Sequence, residues 1–237
     1  MNAGRILVSL AAAASLAAAG CAGGDRQSRT LIQNKGSDTM VNVAQAWAEN
    51  YRRVHPEVGV AVSGGGSGTG IAALINGTVD IANASRDIHT EEKDAILKAN
   101  GRAPVEHVVA YDAVVFFVHA SNPLPALTLE QIACIYGEVP GCTDQTIIRV
   151  SRQSNSGTYE FVRDHVLGKG RDFKLGSRDM QGSKDVVDLV SHTPCAIGYS
   201  GIGYGNDQVK GGCIADKAGA PCITPTLEAA RKREYPL

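Results

Sequence analysis

The sequence is poor in aromatic residues and carries almost no net charge. Phe, Trp and Tyr make up 5% of the 237 residues, which argues against a stacking platform for bases or sugar rings. The formal charge is −1, whereas a protein that binds nucleic acid without sequence preference needs a basic face. Since 43% of the residues are hydrophobic and only 20% are charged, a disordered chain is also excluded. Glycine is abundant, with 27 residues, and indicates a backbone that closely approaches a small ligand.

The common motifs of nucleotide binding, hydrolysis and metal binding are also missing. Gly65–Gly70 has the glycine spacing of a P-loop, but Lys and a hydroxyl residue do not follow it. Thr69 stands where a nucleophile elbow needs glycine, and the His and Cys residues show no metal-ligand spacing. We therefore predict a protein that is not an enzyme and uses no metal or cofactor. The enzymatic alternative is a hydrolase that uses Ser67 or Ser156 as its nucleophile.

The N-terminal residues indicate export. Ile6–Ala19 is an uncharged run of about 14 residues, too short for a membrane span and typical of a signal peptide. The run ends in Ala-Ala-Gly-Cys at 18–21, which resembles a bacterial lipobox. We predict a lipoprotein signal peptide over residues 1–20, lipidation of Cys21 and a flexible tether over 21–29, which would anchor the protein on the extracytoplasmic face of the cell envelope. Ordinary cleavage beside an incidental cysteine is the alternative.

The cysteines after the N-terminal segment indicate an oxidising compartment. Cys134 and Cys142 are close in the sequence, as are Cys213 and Cys222, so these four are candidates for two local disulfides. Cys195 is left over, and we predict that it is a small buried hydrophobic residue.

Short apolar runs alternate with amphipathic stretches, and this pattern predicts an α/β fold. Val41–Val54 is predicted as a helix that ends before Pro56, with Trp47 in the core. Val105–His119 is predicted as a strand long enough to run from one lobe to another. In such folds the ligand binds at the loops that follow the carboxyl ends of the strands.

Four loops place Ser, Thr or Gly directly after a strand and before a helix. They span residues 36–40, 63–70, 84–87 and 151–158. The start of a helix offers free N–H groups and the positive end of its dipole, which suits an anion. Hydroxyl groups add donors, and Arg86 and Arg152 add charged ones. One such loop is most often only a helix cap, but four in one chain predict an anion-binding site.

The same segments resemble the phosphate-binding proteins of bacterial ABC importers. The resemblance rests on five motifs in order: Gly36-Ser37-Asp38-Thr39, the glycine-rich segment 66–82, Arg-x-x-x-Ser-Gly-Thr at 152–158, Ala196-Ile197-Gly198-Tyr199 and Tyr235-Pro236-Leu237. It covers nearly all of Leu31–Leu237 and implies a two-lobed, periplasmic-binding-protein-like fold of type II, in which the lobes close over one dehydrated phosphate.

This resemblance also implies boundaries, ligands and partners. Residues 30–112 and 203–237 would form the first lobe, and residues 113–202 the second. The implied phosphate-binding residues are Ser37, Thr39, Ser67, Ser85 and Arg86 from the first lobe and Arg152, Ser156, Gly157 and Thr158 from the second. The implied partners are inorganic phosphate, the permease subunits of the importer and, through the lipid anchor, the membrane, with the protein acting as a monomer. A sensory or interaction lipoprotein without transport, or a receptor for another tetrahedral oxyanion, is the alternative.

Three departures from the family pattern lead to expectations of their own. Ser154 stands where some members carry an acidic partner for the arginine, so we expect Arg152 to bring its charge to the ligand unshared. Family sites tend to use a carboxylate to accept the ligand's proton, and Asp38, Asp80 and Asp87 are all candidates. Family chains usually continue beyond Tyr-Pro-Leu, so either the sequence is truncated or the first lobe lacks a strand and a helix.

Overall fold

The computed structural model describes residues 30–124, 126–139, 147–168 and 170–237. The strands are β1 (Thr30–Gly36), β2 (Val58–Ser63), β3 (Ile81–Asn83), β4 (Val114–His119), β5 (Ala126–Thr128), β6 (Ile148–Arg152), β7 (Arg178–Met180), β8 (Ala196–Gly201), β9 (Val209–Gly211) and β10 (Cys213–Ala215). The helices are α1 (Val41–Val54), α2 (Ser67–Ile75), α3 (Thr90–Asn100), α4 (Leu129–Tyr136), α5 (Gly157–Val162), α6 (Ser183–Ser191) and α7 (Leu227–Arg231). Short 3-10 turns span Asp38–Met40 and Ile202–Tyr204, and a π-helical turn, Arg163–Leu167, continues α5.

The first lobe is built on a three-stranded sheet in the order β2-β1-β3. Strands β1 and β3 are parallel, with Gly36 opposite Asn83. This register brings the loops that begin at residues 37 and 84 to the same edge of the sheet, as expected for the carboxyl ends of parallel strands. Helix α1 covers the residues predicted for it and packs on β2, while α2 packs on β3 and α3.

The second lobe is built on a five-stranded sheet in the order β7-β6-β8-β4-β9. In its core the rings of Phe116, Tyr136 and Tyr199 pack together, and the centroids of each pair are 5.6 Å apart. The hydroxyl of Tyr136 shares its single hydrogen between the carbonyl oxygens of Val150 and Ile197, which lie 3.1 and 2.8 Å away. Because buried phenols need such partners, these bonds hold β6 against β8. They also fix the position of β6, the strand that ends at Arg152.

The C-terminal segment packs on the second lobe, whereas we predicted residues 203–237 in the first. Strand β9 pairs with β4, and β10 pairs with β5. Ala229, Tyr235 and Leu237 lie in the same buried cluster as the core of the five-stranded sheet. Short apolar segments such as Val209–Gly211 do not reveal which sheet edge they extend, because strand pairing is a long-range choice. The remaining lobe boundaries stay a prediction.

Two apolar features of the first lobe are more exposed than predicted. Only Val114–His119 of the predicted long strand is a strand, and Val105 and Tyr111 are 78% and 77% exposed. The residues before Val114 pair with no strand in the described part of the chain, so their β-branched composition alone does not make a strand. Trp47 was predicted in the core, but it lies on α1 and is 45% exposed.

The cysteines follow the predictions only in part. Cys213 and Cys222 form the predicted disulfide, with their Cα atoms 5.6 Å apart. Cys195 is free and exposed rather than buried, because it lies in the turn that leads into β8. Cys142 lies outside the described residues, so its pairing with Cys134 stays a prediction.

The predicted N-terminal features also lie outside the described residues. They are the signal peptide at 1–20, the lipidated Cys21 and the tether at 21–29. Within the ranges that the structure describes, no helix combines the length and apolar character needed to cross a bilayer.

Candidate functional site

The glycine-rich loop of the first lobe lies directly against the second lobe. The backbone N–H of Gly68 donates to the carbonyl of Asn155 at 3.0 Å, and the Asn155 amide donates to the Gly65 carbonyl and to Thr69 Oγ1 at 2.9 and 3.0 Å. Gly66 has a φ of 92°, and a Cβ there would lie 2.6 Å from the Asn155 carbonyl oxygen. Glycine is therefore required at residue 66 both for its backbone conformation and for the close approach of the two loops.

Two serines of the first lobe meet the start of α5 in the second. Ser67 is fully buried, and its Oγ lies 3.3 Å from Ser85 Oγ and accepts the Ser85 N–H at 3.1 Å. A Cβ on Gly157 would lie 2.5 Å from Ser67 Oγ and 2.6 Å from Ser85 Oγ. The backbone at residue 157 is thus in contact with both hydroxyls, and we call these three residues the serine cluster.

A second group of hydroxyls comes from three separate helical segments, at or near the start of each. Thr39 Oγ1 lies 3.2 Å from Thr158 Oγ1 and 3.4 Å from Ser183 Oγ. Thr158 and Ser183 are buried, while Thr39 is partly exposed. We call these residues the threonine cluster, and it again joins the first lobe to the second.

Arg152, the last residue of β6, lies beside the threonine cluster with only 1% of its surface exposed. It donates to Ser183 Oγ at 2.9 Å, to Asp38 Oδ2 at 3.1 Å and, through two N–H groups, to the Gln181 carbonyl at 3.2 and 2.7 Å. These bonds use four of the five guanidinium N–H donors and leave one on Nη1 for an anion. Burial lowers the pKa of Arg152, and the Asp38 carboxylate opposes this shift.

The expectation of an unshared arginine charge was therefore wrong. Asp38 takes the role of the acidic partner that is missing at Ser154, from the opposite lobe. The same carboxylate accepts the N–H of Gly65 at 2.9 Å. Of the three candidate carboxylates, Asp38 is the one beside the hydroxyl clusters, since Asp80 accepts the Gln33 N–H and Asp87 is exposed.

Arg86 was predicted to bind the ligand, and in the structure its guanidinium pairs with two carboxylates. Glu92 binds it through both oxygens at 2.8 and 2.7 Å, and Glu160 of the second lobe lies 2.5 Å from Nε. The hydrogen bond to Glu92 raises the pKa of Arg86 against the opposing effect of burial. His89 Nε2 also lies 2.7 Å from Glu160, so Glu160 bridges two residues of the first lobe. We call Arg86, His89, Glu92 and Glu160 the ion-pair cluster.

The remaining predicted residues support the loops. Ser156 is the N-cap of α5 and accepts the Tyr159 N–H at 3.4 Å, which leaves its O–H as a donor. Ser37 is 2% exposed, and its backbone N–H donates to the Asn83 carbonyl at 2.9 Å. Ser37 and Ser156 are close in sequence to residues of the serine and threonine clusters. Their hydrogen bonds stabilise the turns that position those residues.

Sequence reasoning missed Ser183 and Glu160 as members of this region, and it placed Asn155 in the loop 151–158 without assigning it a role. The signal for Ser183 was present, because Gly182-Ser183 also stands between a strand and a helix. Asn155 and Glu160 act through partners on the other lobe, which no local pattern reveals. The serine and threonine clusters, together with the Arg152–Asp38 pair, form a largely buried, nearly neutral group of hydroxyls with one guanidinium. This arrangement suits a small tetrahedral oxyanion. No group of His, Cys, Asp and Glu within the described ranges could hold a metal ion.

Comparison with known proteins agrees with this class of site. The family model for a PBP superfamily domain matches residues 21–237. The phosphate-binding protein PstS of Pseudomonas aeruginosa is 33% identical over 224 residues, which cover 87% of this chain and 69% of that protein. This chain belongs to the PBP superfamily and, within it, to the family of PstS phosphate-binding proteins.

Solved structures agree with the family assignment. A Clostridium perfringens protein described as a phosphate ABC transporter substrate-binding protein, solved with bound phosphate, has a TM-score of 0.74 and 31% identity, covering 87% of this chain and 82% of that one. An ABC-type phosphate transport receptor of Vibrio cholerae has a TM-score of 0.63 and 29% identity over 86% and 82% of the two chains. The two-lobed α/β fold inferred from the sequence motifs is confirmed.

Proposed function

We propose that this protein binds one inorganic phosphate ion between its lobes and delivers it, chemically unchanged, to an ABC importer. The observation that carries the proposal is the meeting of buried hydroxyls from both lobes beside a single buried arginine. The proposed phosphate-binding residues are Ser37, Thr39, Ser67, Ser85, Arg152, Ser156, Gly157 and Thr158. Arg86 is left out because two carboxylates already bind its guanidinium.

Selectivity for phosphate over sulfate would come from the proton that phosphate keeps near neutral pH. The Arg152–Asp38 pair is neutral, so the hydroxyl and amide donors must stabilise the anion through individual hydrogen bonds. Asp38 can accept a hydrogen bond from the proton that phosphate keeps near neutral pH. Fully ionised sulfate has no such proton and would leave two like charges facing each other.

We propose that the protein works at the cell envelope. Lipidation of Cys21 would anchor the protein at the extracytoplasmic face of the envelope, where permease subunits of the importer receive the ion. We propose that it acts there as a monomer. The PstS relatives and the transport receptors named above support the delivery of phosphate to an importer.

Phosphate should raise the melting temperature of the ligand-stripped protein, expressed from Ala22, by about 8–16 °C. At a ligand concentration a thousandfold above Kd, linkage stabilises the folded state by about 4 kcal/mol, and each kcal/mol is worth roughly 2–4 °C for a chain of this size. Thermal unfolding with phosphate, sulfate and molybdate measures this. No shift with phosphate would overturn the proposal, and an equal shift with sulfate would favour a receptor for another oxyanion.

Replacing Glu160 with glutamine should weaken phosphate binding about two- to fivefold, mainly through faster release. The substitution removes the charge that bridges Arg86 and His89 across the lobes, while Glu92 still neutralises Arg86. Partly exposed ion pairs contribute about 0.2–1 kcal/mol, and the upper part of this range, about 0.4–1 kcal/mol, corresponds to two- to fivefold. Stopped-flow dissociation and calorimetry at two salt concentrations would measure the effect.

Glu228→Gln is the matched control for Glu160→Gln. Glu228 of α7 pairs with Lys232, the residue that follows this helix, and its side chain is 75% exposed, so its loss should change neither Kd nor the release rate. Equal release rates for Glu160→Gln and the unmodified protein would show that the ion-pair cluster does not hold the lobes together.

A further inference from the structure

The buried hydroxyl of Ser183 lies at the junction of the arginine and the threonine cluster. Ser183 is the first residue of α6 and is 1% exposed. Its Oγ lies 2.9 Å from Arg152 Nη1 and 3.4 Å from Thr39 Oγ1, and its carbonyl accepts the Ser200 hydroxyl at 3.1 Å. The backbone of Ser183 is thus held by the second lobe, while its side chain faces the first.

The chemistry of Arg152 and Thr39 decides in which direction the hydrogen bonds of Ser183 Oγ run. A guanidinium group has no acceptor, so Ser183 Oγ must accept from Arg152. The single hydroxyl hydrogen of Ser183 must then point to another acceptor. At 3.4 Å, the contact with Thr39 is long for a hydroxyl pair, whose usual separation is about 2.7–2.8 Å. The hydroxyl hydrogen of Ser183 therefore makes at most a weak hydrogen bond to Thr39, and a closer acceptor would bind it better.

We propose that Ser183 is a further phosphate-binding residue, which orients the fork of Arg152 and donates its own hydroxyl hydrogen to a phosphate oxygen. The inference rests on the proposed function. A hydroxyl that accepts from a cation is polarised and becomes a stronger donor, so part of the arginine charge reaches the ligand through Ser183. This also explains how Arg152 serves an anion while most of its N–H groups are bound to protein atoms.

Replacing Ser183 with alanine should raise the Kd for inorganic phosphate by about tenfold or more, the size expected for loss of a hydrogen bond to a charged group. Ser183→Thr, which keeps the hydroxyl, should stay within about threefold of the unmodified protein. Ser183→Cys, with a thiol that is a weak donor and acceptor, should weaken binding as the alanine variant does and carries the test if that variant fails to fold. Calorimetry on ligand-stripped protein measures each Kd.

Ser191→Ala is the matched control, because Ser191 is a buried serine at the far end of the same helix. Its hydroxyl donates to the Asp188 carbonyl within α6. The control should alter the melting temperature without changing the phosphate Kd by more than about twofold. A merely structural role of Ser183 would make the two serines behave alike.

A double-mutant cycle with Arg152→Lys tests the link between Ser183 and the arginine. Lysine cannot reproduce the guanidinium fork, so Ser183→Ala should cost several-fold less affinity in the Arg152→Lys background. If the unmodified protein binds no phosphate, the proposed function fails and the role of Ser183 fails with it. If it binds and Ser183→Ala binds equally well, the role of Ser183 alone is overturned.

Discussion

Replacing Arg152 with alanine should lower phosphate affinity at least tenfold, and about a hundredfold if Asp38 keeps its charge. Each hydrogen bond from a charged donor contributes about 1.5–3 kcal/mol, and tenfold corresponds to about 1.4 kcal/mol. The loss is larger than that of one bond, because Asp38 then faces the anion without its partner at 3.1 Å. Titration calorimetry on ligand-stripped protein would give the affinity directly.

The ion pair between Arg152 and Asp38 allows a second test of the predicted loss of affinity. If repulsion from the orphaned carboxylate contributes, adding Asp38→Asn to Arg152→Ala should recover part of the lost affinity. Arg171→Ala is the control, since Arg171 is an exposed arginine of the same lobe whose Nη1 donates to the Leu167 carbonyl at 3.4 Å. An Arg152→Ala variant that folds and binds phosphate as the unmodified protein does would remove the guanidinium from the binding site.

Apart from Ser183, the residues that supply hydroxyls to the two clusters could be predicted because each belongs to a local pattern. Ser67, Ser85 and Thr158 stand where a strand ends and a helix starts, and parallel strands bring such loops to one edge. Helix α1 could be predicted for the same reason, since its periodicity and the following Pro56 lie within one short segment. Local signals therefore gave both the elements and the candidate ligands.

The charges of the site could not be assigned in this way, because their partners are distant in sequence. Asp38 and Arg152 are separated by 114 positions, and Glu160 reaches Arg86 from the other lobe. Nothing near Arg86 in the sequence distinguishes a guanidinium that binds the ligand from one that binds two carboxylates. The same limit applies to β9, whose place beside β4 depends on a long-range pairing.

Replacing Gly157 with alanine should lower phosphate affinity by about a hundredfold or more while the protein stays folded. A Cβ at this residue would lie 2.5 and 2.6 Å from the hydroxyl oxygens of Ser67 and Ser85, closer than real Cβ atoms approach other atoms. Both hydroxyls would have to turn away or the lobes would have to separate. Loss of two hydrogen bonds to an anion costs about 3–6 kcal/mol of binding free energy, which corresponds to a loss of affinity of more than a hundredfold.

The fold should tolerate this change, because alanine is favoured over glycine within a helix by about 1 kcal/mol and Gly157 begins α5. Gly203→Ala is the matched control, since a Cβ at Gly203 would meet no atom within 4 Å. Calorimetry gives the affinities, and melting without ligand separates binding from stability. Unchanged affinity in Gly157→Ala would mean that phosphate does not need the serine cluster closed around it, and the ligand would then have to be held by Arg152 and the threonine cluster alone.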